Sequence, residues 1–224
     1  DGVFGSTLDG GDGNDDISIH EVNRGAAGTV AVNGGSGDDH VFIEYVVAID
    51  AGVAAQSRLL IDGGDGNDIL DTRGAYVATV VTAGTGDDTV ILGSDYTVGI
   101  EVLGGDGNDT IAGDHATNAH INGDAGDDII TISGSGNQIA GGAGADTLVF
   151  RVGFGSAAVV DYTIGDDSIN FQSGTFSSID DLLQNHAAQV GTDVVITDIA
   201  GDTLTLRSVA LAEVQAHASD FHLI

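Results

Sequence analysis

Gly104-Gly105-Asp106-Gly107-Asn108-Asp109-Thr110-Ile111 is the stretch on which the fold turns. Its frame is two small residues, a variable one, Gly, another variable one, Asp, and an apolar residue two positions on. The same frame begins at Gly10 (GGDGNDDI), Gly34 (GGSGDDHV), Gly63 (GGDGNDIL), Ala83 (AGTGDDTV), Gly123 (GDAGDDII) and Gly141 (GGAGADTL). The seven starts lie 24, 29, 20, 21, 19 and 18 residues apart. Glycines allow φ > 0 and leave the neighbouring carbonyls uncovered. The Asp places a charged oxygen at the end of the turn. The apolar residue then starts a short strand whose side chain points inward: Ile17, Val41, Leu70, Val90, Ile111, Ile130 and Leu148. No unit buries much alone, so the core must come from stacking.

A period of 18 to 21 residues over the last four repeats fits one coil of two strands and two turns. The second turn is read at Gly74, Gly93, Gly113 and Gly134, where the Gly-x-Asp ending is missing. The fold class expected is therefore all-β: a parallel β-solenoid with the Gly-Asp loops along one edge and plain turns along the other. In the first two coils, segments such as HVFIEYVVAI place Val41, Ile43, Tyr45 and Val47 on one face and predict longer strands and wider coils.

Composition narrows the chemistry. Five Arg and no Lys face 31 Asp and four Glu, a formal charge of −30 over 224 residues. A surface role alone would use Glu as freely as Asp. The short carboxylate is the one suited to turns and to oxygen-ligand metal loops. Nucleic acid and anionic membranes would be repelled, and no apolar run approaches a membrane span of ~20 residues. Disorder is excluded by a 42% hydrophobic content arranged in short β-branched runs. Without Cys there are no disulfides and no thiolate metal sites, and without Met the sequence is read as a piece of a larger chain.

Seven copies of the frame, from about residue 10 to 150, resemble the nonapeptide G-G-x-G-x-D-x-U-x of the RTX (repeats-in-toxin, hemolysin-type calcium-binding) family. They differ from it in recurring once per coil rather than every nine residues. The resemblance implies a calcium-binding parallel β-roll in which each ion lies between neighbouring loops. Carried over, the carboxylate ligands are Asp15, Asp39, Asp68, Asp88, Asp109, Asp128 and Asp146. Carbonyl ligands would come from the first, second and fourth loop positions. These are Gly10, Gly11 and Gly13, then Gly34, Gly35 and Gly37, Gly63, Gly64 and Gly66, and Ala83, Gly84 and Gly86. They continue with Gly104, Gly105 and Gly107, Gly123, Asp124 and Gly126, and Gly141, Gly142 and Gly144. Seven loops imply up to six Ca2+ ions, best ordered between Ala83 and Asp146, and a tighter loop at Asp124. Asp12, Asp65 and Asp106, at the variable third position, are expected to face solvent. Magnesium resists a shell of many carbonyls. Zinc lacks a motif, since His115/His120 and His217/His222 do not repeat, and a phosphate loop lacks its Lys.

After Phe150 the pattern changes, and residues 1–150 are read as the solenoid and 151–224 as a C-terminal cap. AVVDY and DSINF read as strands. Ser178 reads as an N-cap, and Leu182, Leu183, Ala187 and Val190 keep helical spacing up to Gly191. VVIT and TLTLRSV come next as two strands around Ala200-Gly201-Asp202, then a short helix and an apolar tail. This layout resembles the C-terminal region of RTX proteins, with Asp220-Phe221-His222-Leu223-Ile224 similar to their export signals. The resemblance implies a calcium-binding module that meets the type I secretion machinery during export and folds outside the cell. Such a module would support a larger secreted or surface protein such as an adhesin. The chain has no convincing nucleophile-base set and is not expected to be an enzyme. The alternative is a non-catalytic module of a secreted polysaccharide-modifying enzyme or protease, touching an anionic glycan or a cell surface.

Overall fold

A computed structural model describes residues 5–23, 28–48, 57–93 and 99–224. Each frame ends a strand of one sheet, turns, and starts a strand of the other: Ile100–Asp106 leads through the loop into Thr110–Gly113. Because a strand this short cannot satisfy its own backbone, it bonds to the equivalent strand of the coils on either side. The chain is thus an all-β parallel solenoid of about seven turns.

Among the described residues the first sheet has 11 strands. Eight run parallel in chain order, from Thr7–Asp12 to Ser156–Val159, and Thr203–Leu206 is added parallel to the last. Its row Val32, Ile61, Val81, Val102, Ile121, Ile139, Val159 and Leu206 is in register across the coils. The second sheet carries the row expected from the frame, Ile17, Val41, Leu70, Val90, Ile111, Ile130 and Leu148, each beside the next. The two rows of aliphatic side chains form the core between the sheets, nearly all of it shut off from solvent.

Both sheets continue past Phe150. Ile169 pairs with Leu148, and Phe221 pairs with Ile169. Here aromatic rings replace the aliphatic rows: Phe150 lies 5.5 Å from Phe154 and 5.7 Å from Phe171, and Phe171 lies 5.0 Å from Phe176. Asp193–Thr197 and Ala187–Val190 then add to the first sheet antiparallel. The Asp198–Asp202 turn is held by Asp198 Oδ1, which accepts from the Ala200 and Asp202 amides at 2.8 and 2.9 Å. Ser178 caps its helix as expected, its Oγ accepting from the Asp181 amide at 3.0 Å.

Two expectations are corrected. The strands of the first coils are long, Asp16–Asn23 and His40–Ala48, but Tyr45 does not face inward. Ile19 pairs with Ile43 and His20 with Tyr45, so Glu44 is an extra residue in the ladder. This bulge flips the alternation: Tyr45 is 37% exposed and Val46 is fully buried. Val47 is in the strand, but its side chain lies outside the described residues. The run to Gly191 is also not one helix. Ile179–Asp181 is followed by a wider helical turn, Leu182–His186, and Ala187–Val190 is a strand. Gly191, at φ 65°, turns the chain back, and pairing with Asp193–Thr197 replaces helix formation.

At most second positions the loops stack too closely for a side chain. Gly105 has φ 113°, and a Cβ there would lie 1.9 Å from the Gly84 carbonyl oxygen. Gly105→Ala is expected to cost roughly 2–3 kcal/mol in urea unfolding of the folded protein. Gly99→Ala, with nothing within 4 Å, should change stability by less than about 0.5 kcal/mol.

Candidate metal centre

The frame's aspartates form one continuous ladder along one edge. The Asp15 amide donates to Asp39 Oδ1 at 2.7 Å, Asp39 to Asp68 at 2.7 Å, and Asp68 to Asp88 at 2.7 Å. Asp88 donates to Asp109 at 2.9 Å, Asp109 to Asp128 at 2.7 Å, and Asp128 to Asp146 at 3.0 Å. The longer intervals before Gly34 and Gly63 leave the ladder as regular there as it is downstream. From Asp39 to Asp146 every ladder carboxylate is 2% exposed or less.

One oxygen of each carboxylate is therefore satisfied, and the other is not. The Oδ2 atoms of Asp15, Asp39, Asp68, Asp88, Asp109, Asp128 and Asp146 are all buried without a hydrogen-bond partner. An unpaired buried polar group costs about 1–3 kcal/mol, and more when charged. Seven in a row, in successive coils, is a shared requirement and not an accident of packing. Burial pushes the carboxyl of Asp88 up to about 7 and those of Asp109, Asp128 and Asp146 up to about 6. Neighbouring carboxylates push the same way, against the amide bonds. Burial also raises Asp68.

The fifth loop position solves the same stacking problem differently. Its residues are Asn14, Asp38, Asn67, Asp87, Asn108 and Asp127, an alternation of amide and carboxylate. Each Oδ1 accepts the backbone amide of the fifth residue one coil on. The Asp38 amide donates to Asn14 at 3.0 Å, Asn67 to Asp38 at 2.9 Å, and Asp87 to Asn67 at 2.8 Å. Asn108 to Asp87, Asp127 to Asn108 and Ala145 to Asp127 continue the series at 2.8, 2.7 and 2.8 Å. Like charges directly opposite one another destabilise a sheet. The chain avoids that contact at this exposed position, yet repeats it without a break at the buried sixth. A cation between coils would reconcile the two.

The donor set fits calcium. The group that stands beside the unpaired Oδ2 is another oxygen, the carbonyl of the next loop's first residue. At Gly104, the place of a Cβ is 2.3 Å from Asp109 Oδ2 and 2.3 Å from the Gly123 carbonyl oxygen. Gly34 and Gly63 border the same pair of groups in their own coils. Ala83, the one first-position residue with a side chain, is fully buried. Asp124 holds its second position at φ 73°, its amide donating to Asn122 Oδ1 at 3.2 Å and its Oδ1 accepting from Asn122 Nδ2. Asp12, Asp65 and Asp106 are exposed, as expected. Among the described residues no three or more His, Cys, Asp or Glu side chains have the arrangement of a metal cluster built from side chains alone.

One ladder member lies outside the seven frames. Asp146 donates its amide to Asp167 Oδ1 at 3.1 Å, making Asp167 the eighth carboxylate. Gly165-Asp166-Asp167-Ser168-Ile169 is the back half of the frame and is the signal by which the sequence could reveal it. The front half is disguised, with Asp161-Tyr162 in place of the glycines and one residue added.

No family model matches the chain, and no curated protein matches it in sequence. Among solved structures, the extracellular lipase LipA from Serratia marcescens is similar over 96% of this chain and 40% of its own length, at 20% identity and a TM-score of 0.33. The chain thus spans well under half the length of that protein.

Proposed function

We propose that this chain is a calcium-binding module of the RTX type that folds when it meets calcium outside the cell and supports a larger secreted or surface protein such as an adhesin. The observation that carries the reading is the row of seven buried, unpaired Oδ2 atoms on successive coils. The ladder aspartates and the first-position carbonyls would hold the ions. Bound calcium supplies positive charge and a partner for the oxygens that the protein leaves unpaired.

Ion binding and folding are then one event. With calcium scarce, as in the cytosol, stacked carboxylates repel and the chain stays open for passage through the type I secretion machinery. Outside, calcium at ten times its dissociation constant contributes about 1.4 kcal/mol per site, and extracellular modules bind at roughly 0.1–1 mM. Catalysis is not assigned to this chain, and no described helix is long and apolar enough to cross a membrane.

Circular dichroism at pH 8 tests the reading. Calcium should convert a largely unordered spectrum into a β spectrum over roughly 0.1–1 mM, and chelator should reverse it. A chain equally folded and equally stable in chelator would refute it.

A further inference from the structure

We infer that a seventh calcium closes the C-terminal end of the file, between the Gly141–Asp146 loop and the irregular turn at residues 161–167. This rests on the calcium reading above. Seven matched loops enclose six gaps, and those gaps account for the unpaired Oδ2 atoms of Asp15, Asp39, Asp68, Asp88, Asp109 and Asp128. The seventh, on Asp146, faces the next turn, and that residue is only 1% exposed.

The turn beyond it is built as a loop despite its sequence. Val159 pairs with Ile139, which sets Asp161 opposite Gly141, and Ser168 and Ile169 pair with Thr147 and Leu148. Asp161 stands over the loop below, its Oδ1 accepting from the Gly141 amide at 3.1 Å and its Oδ2 from the Gly142 amide at 3.0 Å. Asp167, 5% exposed, continues the ladder bond. The gap is thus bordered by the carboxylates of Asp146, Asp161 and Asp167, with no cationic side chain among these contacts.

The same turn ends the file. Asp167 Oδ2 accepts from the Thr163 amide at 2.7 Å, so it is the one ladder carboxylate with both oxygens bonded within the protein. Nothing beyond it requires an ion. The number of ions is therefore set by the unpaired oxygens and not by the number of matched repeats.

Native mass spectrometry of the folded protein in calcium counts the ions directly. Seven are expected, and six for Asp167→Asn, which keeps Oδ1 as acceptor for the Asp146 amide. Six or fewer in the parent, or seven in both proteins, overturns the seventh site. No calcium at all overturns the module's proposed function instead. Terbium gives a second readout that does not need D167N to fold, because Tyr162 adjoins Asp161 and can sensitise its emission. Tyr162→Phe should remove part of that emission with the count unchanged, and unaltered emission places the ion elsewhere.

Discussion

Asp109→Asn is expected to change sign with calcium: destabilising when the ion is present and stabilising when it is chelated. In the loaded protein proposed above, the Asp109 carboxylate would be buried against a cation. Replacing it by an amide leaves that charge uncompensated, a loss of roughly 3–5 kcal/mol for a buried ionic partner. In chelator the same carboxylate is a buried charge with one orphaned oxygen, beneath and above other carboxylates. Asn keeps the Oδ1 that accepts from Asp88, removes the charge, and points its amide toward the region of the Gly123 carbonyl. A gain of about 1–3 kcal/mol is expected from relieving the unpaired group. Urea unfolding at pH 8 in calcium measures the first, and refolding of the chelated protein by an excluded osmolyte measures the second. Destabilisation of equal size in both conditions would mean that Asp109 serves the fold alone.

Acid should replace calcium. Asp in an unfolded chain titrates near ~3.9, whereas burial and neighbouring charge push Asp88 up to about 7 and Asp109, Asp128 and Asp146 to about 6 in the folded protein. Between those values the folded state holds more protons than the unfolded one, so stability without calcium rises as the pH falls from 8 toward about 4. Below that both states are protonated and the gain levels off. Because protons and calcium compete for the same oxygens, the calcium needed for half-folding should climb over the same window. The fraction folded in chelator, followed by circular dichroism from pH 8 to 5, is the measurement. No gain of β structure on acidification would contradict it.

What the sequence made legible was whatever repeated. The inward row from Ile17 to Leu148 and the ladder from Asp15 to Asp146 both come from one frame counted along the chain, and both are in register in the structure. Tyr45 is misplaced by the sequence pattern because a period of two cannot see a bulge, which depends on the facing strand having one residue fewer. The stretch to Val190 reads as helical because apolar spacing over a few residues fits either state. Pairing with the Asp193–Thr197 strand just downstream decides it. Asp167 escapes the frame because the ladder needs a carboxylate at a height in the stack, not a hexapeptide around it.

The alternation of Asn14, Asp38, Asn67, Asp87, Asn108 and Asp127 makes the true repeat of this molecule two coils long. Removing an Asn coil or duplicating an Asp coil would set two carboxylates face to face on the outer wall, while adding or removing a neighbouring pair would leave the alternation undisturbed. An engineer lengthening this chain should therefore insert coils two at a time, which keeps the carboxylates apart.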